Sequence, residues 1–321
     1  MRTPVAFLIF NRPDRTARVF AEIARARPEK LLVVADGPRA NQPGEQELCL
    51  ATRSILDKID WPCELLTDFA ETNLGCKQRI SSGLDWVFEQ VEEAIILEDD
   101  CLPDQTFFPF CAELLERYRD DERVGMICGS NFQNGKRRSP DSYFFGLHTT
   151  VWGWASWRRV WQKYDVGIRR WPELKDTPWL SELLRNPVAE RYWPEVFDDT
   201  FNGAYDTWDW QLFFLLWSNN LLVLLSDRNL ISNIGFGEGA TRTRDNLPSM
   251  ANLPVTAMDF PLRHPATVSL DREADIYSFR QIYPWIIENQ NYYWQLRHRF
   301  TAALPDQLRQ RIREFRSRLR A

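Results

Sequence analysis

Residues Ala94-Ile95-Ile96-Leu97 run directly into Glu98-Asp99-Asp100. Such an apolar run reads as a short strand buried on both faces, as strands of a parallel sheet do. The carboxylates cannot follow it inside, because an unpartnered buried carboxylate is very costly. They belong at the carboxyl edge of a sheet, where open α/β folds place their ligands. Hard oxygen donors at such an edge suit Mg²⁺ or Mn²⁺, held by one or two carboxylates and completed by phosphate oxygens. Taken alone, the run reads equally well as a solvated turn that caps the next helix.

The flanking segments alternate in the same style. Residues 5–10 are strand-like, and Pro13 and Asp14 fit the first turn of a helix running to about residue 27. Further strands are expected at 30–35, 63–66 and 124–129, and helices at 45–59, 75–90 and about 104–119. This β-α order predicts an α/β fold with a mostly parallel, Rossmann-like sheet covered on both faces. Residues 131–205 are irregular in pattern and rich in Trp, Pro and charge. A helix at 208–217 and a strand at 221–225 follow, then a glycine loop with cations (residues 234–244) and an extended connection over 245–275. The expected division is a domain over 1–255, made of halves 1–130 and 131–255, and an extension over 256–321.

The 321 residues carry a net charge of −5, which argues against bulk binding of nucleic acid. The cysteines (Cys49, Cys63, Cys76, Cys101, Cys111, Cys128) show no C-x-x-C spacing, so no zinc site is expected. Reduced cysteines in a cytosolic protein are the simpler reading. Residues 3–10 are too short and too soon interrupted for an export signal, and no apolar run reaches membrane-spanning length. Leu308, Ile312, Phe315 and Leu319 share one helix face among Arg309, Arg311, Arg313, Arg316, Arg318 and Arg320. That helix either docks on the body or lies peripherally on an anionic inner-membrane surface.

Glu98-Asp99-Asp100, then Pro103-Asp104 and Phe107-Phe108, then a helix and the strand ending at Cys128, resemble the core of GT-A glycosyltransferases. The likeness runs in motif order over roughly residues 4–245. It is nearest to inverting N-acetylglucosaminyltransferases and to bacterial haemolysin-like nucleotide-diphospho-sugar transferases. The resemblance implies a nucleotide half joined to a smaller acceptor half. It assigns Asp100 to the Mn²⁺ or Mg²⁺, and Glu98 and Asp99 to ribose or sugar. Asn11, Arg12 and Lys77 would serve the nucleotide sugar, and Asp36 would accept a hydrogen bond from uracil. A turn explains Asp36-Gly37-Pro38 equally simply, and Lys77 also reads as a surface lysine.

Trp152-Gly153-Trp154 resembles the family's glycine-aromatic turn at the donor and acceptor site, and Trp210, beside the acidic residues 206 and 209, is a further candidate to stack on a sugar. Indole faces suit the C–H face of a sugar, and core packing is the other reading. Asp209 occupies the place of the family's base, which would deprotonate the acceptor hydroxyl. Trp208 stands where that acidic pair has its first member, so Asp206 is an alternative. Asp209 also reads as a helix-initiating acid. Arg242 stands where similar bacterial proteins carry His; an arginine cannot ligate a cation, so Arg242 or Arg244 would clamp the diphosphate. His148 reads as structural. The expected activity is inverting transfer from a UDP-sugar to a glycan or lipid-linked acceptor in surface polysaccharide synthesis. A nucleotidyltransferase needs a glycine-rich loop after its first strand, and Asn11-Arg12-Pro13 has no glycine. A non-catalytic sugar- or membrane-binding relative is the other alternative.

Overall fold

The computed structural model describes residues 1–236, 250–284 and 286. Arg242, Arg244 and the basic helix expected around residues 308–320 lie outside the described residues. In chain order the first part is β1 (Val5–Ile9), α1 (Pro13–Ala26), β2 (Lys30–Ala35), α2 (Glu45–Arg53), β3 (Glu64–Phe69) and α3 (Cys76–Gln90). Next come β4 (Glu93–Glu98), β5 (Cys101–Pro103), α4 (Phe107–Arg117) and β6 (Val124–Cys128). They are followed by β7 (Tyr143–Gly146), β8 (Trp154–Trp157), α5 (Arg158–Trp161), α6 (Trp171–Leu174), α7 (Trp179–Leu184) and α8 (Pro187–Phe201). The last described elements are α9 (Asp209–Ser218), β9 (Leu222–Ser226), β10 (Ile231–Asn233) and α10 (Arg272–Ile282).

Eight strands form one sheet in the order β3-β2-β1-β4-β8-β6-β9-β7. β3, β2, β1 and β4 are mutually parallel, as a Rossmann-like half requires. β1 is buried along its whole length, and Ala94 to Leu97 of β4 are fully buried. Burial on both faces is why these strands read as unbroken apolar runs. β8 lies antiparallel between β4 and β6, β9 is parallel to β6, and β7 closes the far edge antiparallel to β9. The carboxyl ends of β1, β2, β4, β6 and β9 therefore share one edge of the sheet. β5 and β10 pair as a small antiparallel ribbon beyond that edge. Helix α3 approaches β2 closely at Gly83, where an added Cβ would stand 2.3 Å from a Val34 methyl carbon.

The α/β class and the first-half elements match expectation, with two adjustments. The helix expected over 45–59 stops at Arg53 and finishes as a 3₁₀ turn over Ser54–Lys58. The segment expected to be irregular, 131–205, instead holds two strands of the main sheet and the 15-residue helix α8. Its pattern misleads because Trp157, Trp171 and Trp193 are core residues there, and their flanks are charged. A division at residue 255 also does not follow the packing. Met258, Leu262, Phe279 and Ile282 belong to the same core cluster as β1 and β4.

Helix α10 is fastened to the sheet by a buried carboxylate. Asp275 Oδ1 accepts hydrogen bonds from the Leu147 and His148 backbone N–H groups at 2.7 and 2.8 Å, and Oδ2 lies 3.0 Å from His148 Nδ1. His148 is thus structural. Burial alone would raise the Asp275 carboxyl; His148 and the two N–H groups outweigh burial and hold it below its ordinary value. Its contribution to stability is therefore present above the ordinary carboxylate pKa and is lost as pH falls through the native value. Asp275→Ala should cost about 3 kcal/mol or more at pH 7, because it leaves buried donors unpaired. In urea denaturation across pH 3–7, Asp275→Asn should show a shallower acid limb than the parent chain.

Candidate active site

Glu98 is the last residue of β4, and Asp99 and Asp100 form the turn into β5. Parallel pairing of Leu8 with Glu98 brings the end of β1 level with them. From there Arg12 reaches both aspartates, with Nη2 to Asp99 Oδ1 at 2.6 Å and Nη1 to Asp100 Oδ2 at 3.0 Å. The Phe10 N–H also serves Asp99, whose Oδ2 is buried without a partner. Burial, then the charges of Asp100 and Asp99, push the Glu98 carboxyl up to about 8; Arg12 opposes this and Asp209 adds to it. Asp99 is raised by burial against the pull of Arg12, to about 6. Burial works against the charge on Arg12, but Asp99, Asp100 and Glu98 outweigh it and hold the guanidinium protonated.

The neighbouring end of β2 carries Asp36. Its Oδ1 accepts from the Gly37 and Leu74 N–H groups at 2.8 and 2.9 Å, and its Oδ2 from Asn73 Nδ2 at 2.9 Å. Burial nevertheless raises its carboxyl, with those backbone donors opposing. Asp36 thus ties the loop before α3 to β2 as well as standing at the edge where a base would lie. Asn11 donates to Glu45 Oε1 at 2.8 Å, and Glu45 in turn holds Arg39. Arg79 is buried and binds the Ala35 carbonyl and Asp68. Sequence reading missed Glu45, Arg39 and Arg79, because each lies on a helix or loop and meets its partner only through the fold. Lys77 is half-buried in the first turn of α3, and only its backbone N–H enters the contacts described below.

The far side of the acid turn is closed by the segment after β10. The Ile234 N–H binds the Asp100 carbonyl at 2.8 Å, and the Gly235 N–H binds Asn233 Oδ1 at 2.8 Å. A Cβ on Gly235 would stand 2.1 Å from Asp100 Oδ2, so only glycine fits against that carboxylate. Among the described residues, no group of three His, Cys, Asp or Glu side chains could by itself hold a metal ion. The donor set fits the other mode, in which one carboxylate holds Mg²⁺ or Mn²⁺ and diphosphate oxygens complete the shell. Asp100 is partly exposed, and among the described residues its Oδ1 meets the weak Cys101 thiol at 3.6 Å. It is the residue that would hold such an ion.

The aromatic turn divides between two roles. Trp152 is half-buried and meets Phe236 edge-on at 5.7 Å, next to Gly235. Gly153 has φ of +62°, and a Cβ there would stand 2.3 Å from an Ile231 methyl carbon. Trp154 departs from expectation: it is fully buried in β8, stacked on Trp208, and has no face for a sugar. Trp208 is likewise core, which explains why no acid stands at that position. Trp210 is half-buried, edge-on to Tyr205 at 4.5 Å.

The two candidate bases are separated. Asp206 is exposed and turns to the start of α3, where its Oδ1 accepts from the Lys77 N–H at 3.1 Å. Asp209 opens α9 and is close enough to raise Glu98. Its Oδ1 accepts from the Thr207 hydroxyl and from the Trp210 N–H. Among the described residues, no hydrogen bond is made to its Oδ2. Thr207 was not singled out in the sequence, although a Thr two residues before an acid at a helix start is the available signal.

No family model matches the chain, and no curated protein matches it. Among solved structures it is similar to S. aureus TarS 1–349, with a TM-score of 0.41 and 13% identity over 72% of this chain and 60% of that one. It is also similar to 4-diphosphocytidyl-2C-methyl-D-erythritol synthase from Anaerococcus prevotii, with a TM-score of 0.31 and 10% identity over 51% of this chain and 76% of that one. The chain thus spans 60% of the length of the TarS fragment. The site's geometry carries the functional argument.

The raised Glu98 and Asp99 carboxyls make the acid turn a liability at high pH. An acid whose folded pKa exceeds its unfolded one costs nothing at low pH, and its cost grows until the folded value is passed. Glu98→Gln should therefore leave thermal stability nearly unchanged at pH 5 and raise it at pH 8.5. In calorimetry each kcal/mol would appear as roughly 2–4 °C for a domain somewhat smaller than this.

Proposed function

We propose that this protein is a metal-dependent glycosyltransferase that moves a sugar from a nucleotide sugar, with UDP favoured, to an acceptor hydroxyl with inversion. The observation that carries this reading is one sheet edge that gathers Asp36, the Arg12–Asp99–Asp100 cluster and Asp209. Asp36 and Asn73 line the place for the base. Asp100 would hold Mn²⁺ or Mg²⁺, which when bound offsets the charge that develops on the diphosphate leaving group. Arg12 supplies a fixed cation to the same edge, and a guanidinium suits phosphate oxygens. Asp209 Oδ2 takes the proton of the acceptor hydroxyl as it attacks the anomeric carbon, while Thr207 and the Trp210 N–H steady Oδ1. The acceptor is a glycan or lipid-linked saccharide of the cell surface, reached from the cytosolic side; the arginine-rich C-terminal segment would supply any membrane contact. Among the described residues, no helix is long and apolar enough to cross a membrane.

A nucleotidyltransferase is less well supported. Asn11 and Arg12 follow β1 with side chains already bound to Glu45, Asp99 and Asp100, where such an enzyme needs a glycine loop of open N–H groups.

Ligand-observed NMR with UDP in the presence and absence of Mn²⁺ tests the binding step. The parent chain should bind UDP far better with metal, and Asp100→Ala should lose that gain while staying folded by circular dichroism. Equal UDP affinity with and without metal in the parent chain would reject the reading. For the chemical step, Asp209→Asn should lower kcat for UDP release on the order of 10²-fold or more, with donor binding nearly intact. A crippled Asp206→Asn beside a mild Asp209→Asn would reverse the assignment of the base, and a product of retained configuration would reject inversion.

A further inference from the structure

The two ion pairs that Arg12 makes are not equivalent. Nη2 lies 2.6 Å from Asp99, whose side chain is 3% exposed; Nη1 lies 3.0 Å from Asp100, whose side chain is 15% exposed. The Asp99 pair is the short, buried one, and Asp99 is held a second time by the Phe10 N–H. The Asp100 pair is longer and more open to solvent. The main chain of Arg12 is tied down, because its carbonyl accepts the N–H and the hydroxyl of Thr16 at 2.9 and 2.8 Å. An exchange of partner at Nη1 therefore needs only side-chain torsions, with Nη2 left on Asp99. The Arg12 side chain is 22% exposed, so a ligand at the sheet edge can reach it.

Asp100 thus faces two demands. It is the residue that would hold Mn²⁺ or Mg²⁺, yet its Oδ2 already takes a guanidinium proton and is crowded by Gly235, where a Cβ would stand 2.1 Å away. Its Oδ1 accepts from the Cys101 thiol at 3.6 Å. A divalent cation arriving by itself meets a carboxylate whose charge is already offset, and two cations on one carboxylate repel each other. A diphosphate reverses both effects. Its oxygens are a matched partner for the planar guanidinium, and they also complete the shell of the ion. One anion then serves both cations and relieves their repulsion.

We propose that Arg12 is an interlock that makes the metal and the nucleotide bind as a pair. In the free protein Arg12 occupies Asp100 and keeps a lone divalent cation weakly bound. When a nucleoside diphosphate arrives, Nη1 leaves Asp100 for a phosphate oxygen while Nη2 stays on Asp99, and Asp100 is released to the ion. The proposal rests on the glycosyltransferase reading and adds to it the coupling between the two ligands and the residue that sets it.

Two variants of the full chain pull the interlock apart from opposite sides. Mn²⁺ affinity without nucleotide is read by electron paramagnetic resonance, and UDP affinity by ligand-observed NMR in EDTA and with Mg²⁺. Arg12→Gln should bind Mn²⁺ alone at least about fivefold tighter than the parent chain, the low end of coupling between sites, and should bind UDP with Mg²⁺ more weakly. A purely structural role would weaken both. Arg18→Gln removes the same charge from the exposed side of α1 and should change either affinity by less than about twofold, as expected for a screened surface charge. Asp100→Asn keeps the shape of a partly exposed side chain and frees Arg12, so UDP in EDTA should bind it at least about fivefold tighter than the parent. Mn²⁺ alone binding Arg12→Gln no tighter than the parent, or metal-free UDP binding Asp100→Asn no tighter than the parent, overturns the proposal. If circular dichroism shows Arg12→Gln unfolded, the Asp100→Asn result decides. Either failure beside metal-dependent UDP binding in the parent leaves the glycosyltransferase reading intact; a parent chain without metal-dependent UDP binding overturns both.

Discussion

The architecture turns on three acids gathered at the mouth of a buried strand and on the Arg12 guanidinium that pairs with two of them. Arg12 can do this only because β1 pairs in parallel with β4 and delivers the residues after Ile9 level with Asp99 and Asp100. Its position is fixed in turn by the helix it precedes. The Arg12 carbonyl accepts both the N–H and the hydroxyl of Thr16 at 2.9 and 2.8 Å, in the first turn of α1. Breaking a buried ion pair leaves an uncompensated charge and is far more damaging than never having built one. The turn, the β1–α1 junction and the central strand pair are therefore one unit.

The half-compensated state of this unit has a chemical use. Burial, with the neighbouring acids, keeps the Glu98 and Asp99 carboxyls raised although Arg12 opposes it. Gly235 brings backbone to Asp100 at a separation no side chain permits, which shapes the opening instead of filling it.

The opposite wall is made by packing rather than by charge. β8 inserts antiparallel beside β4 and presents Trp154 to Trp208, whose rings stack with centroids 5.9 Å apart. Tyr164 donates to the Trp208 carbonyl at 3.0 Å. These contacts anchor the start of α9, where Asp209 stands.

The parallel half was legible in the sequence because β1, β2 and β4 are buried on both faces and its acids mark the edge. Apolar runs at 5–9, 30–35 and 94–97 and the acids at 98–100 are local signals, and each kept its meaning in the fold. The aromatic segment was not legible. Trp154 and Trp152 look alike in the chain, yet one is a strand residue in the core and the other borders the site, because β8 begins only at Trp154 and the fold brings Trp208 to one ring and Phe236 to the other. Likewise Asp206 and Asp209 are both acids before an apolar helix; only the packing of α3 against the first and of the site against the second tells them apart. Sequence determined which groups carry charge and which strands are buried, since those follow from residue chemistry and period. Tertiary structure decided partners, because a carboxylate's role depends on which donor the fold brings within hydrogen-bond reach.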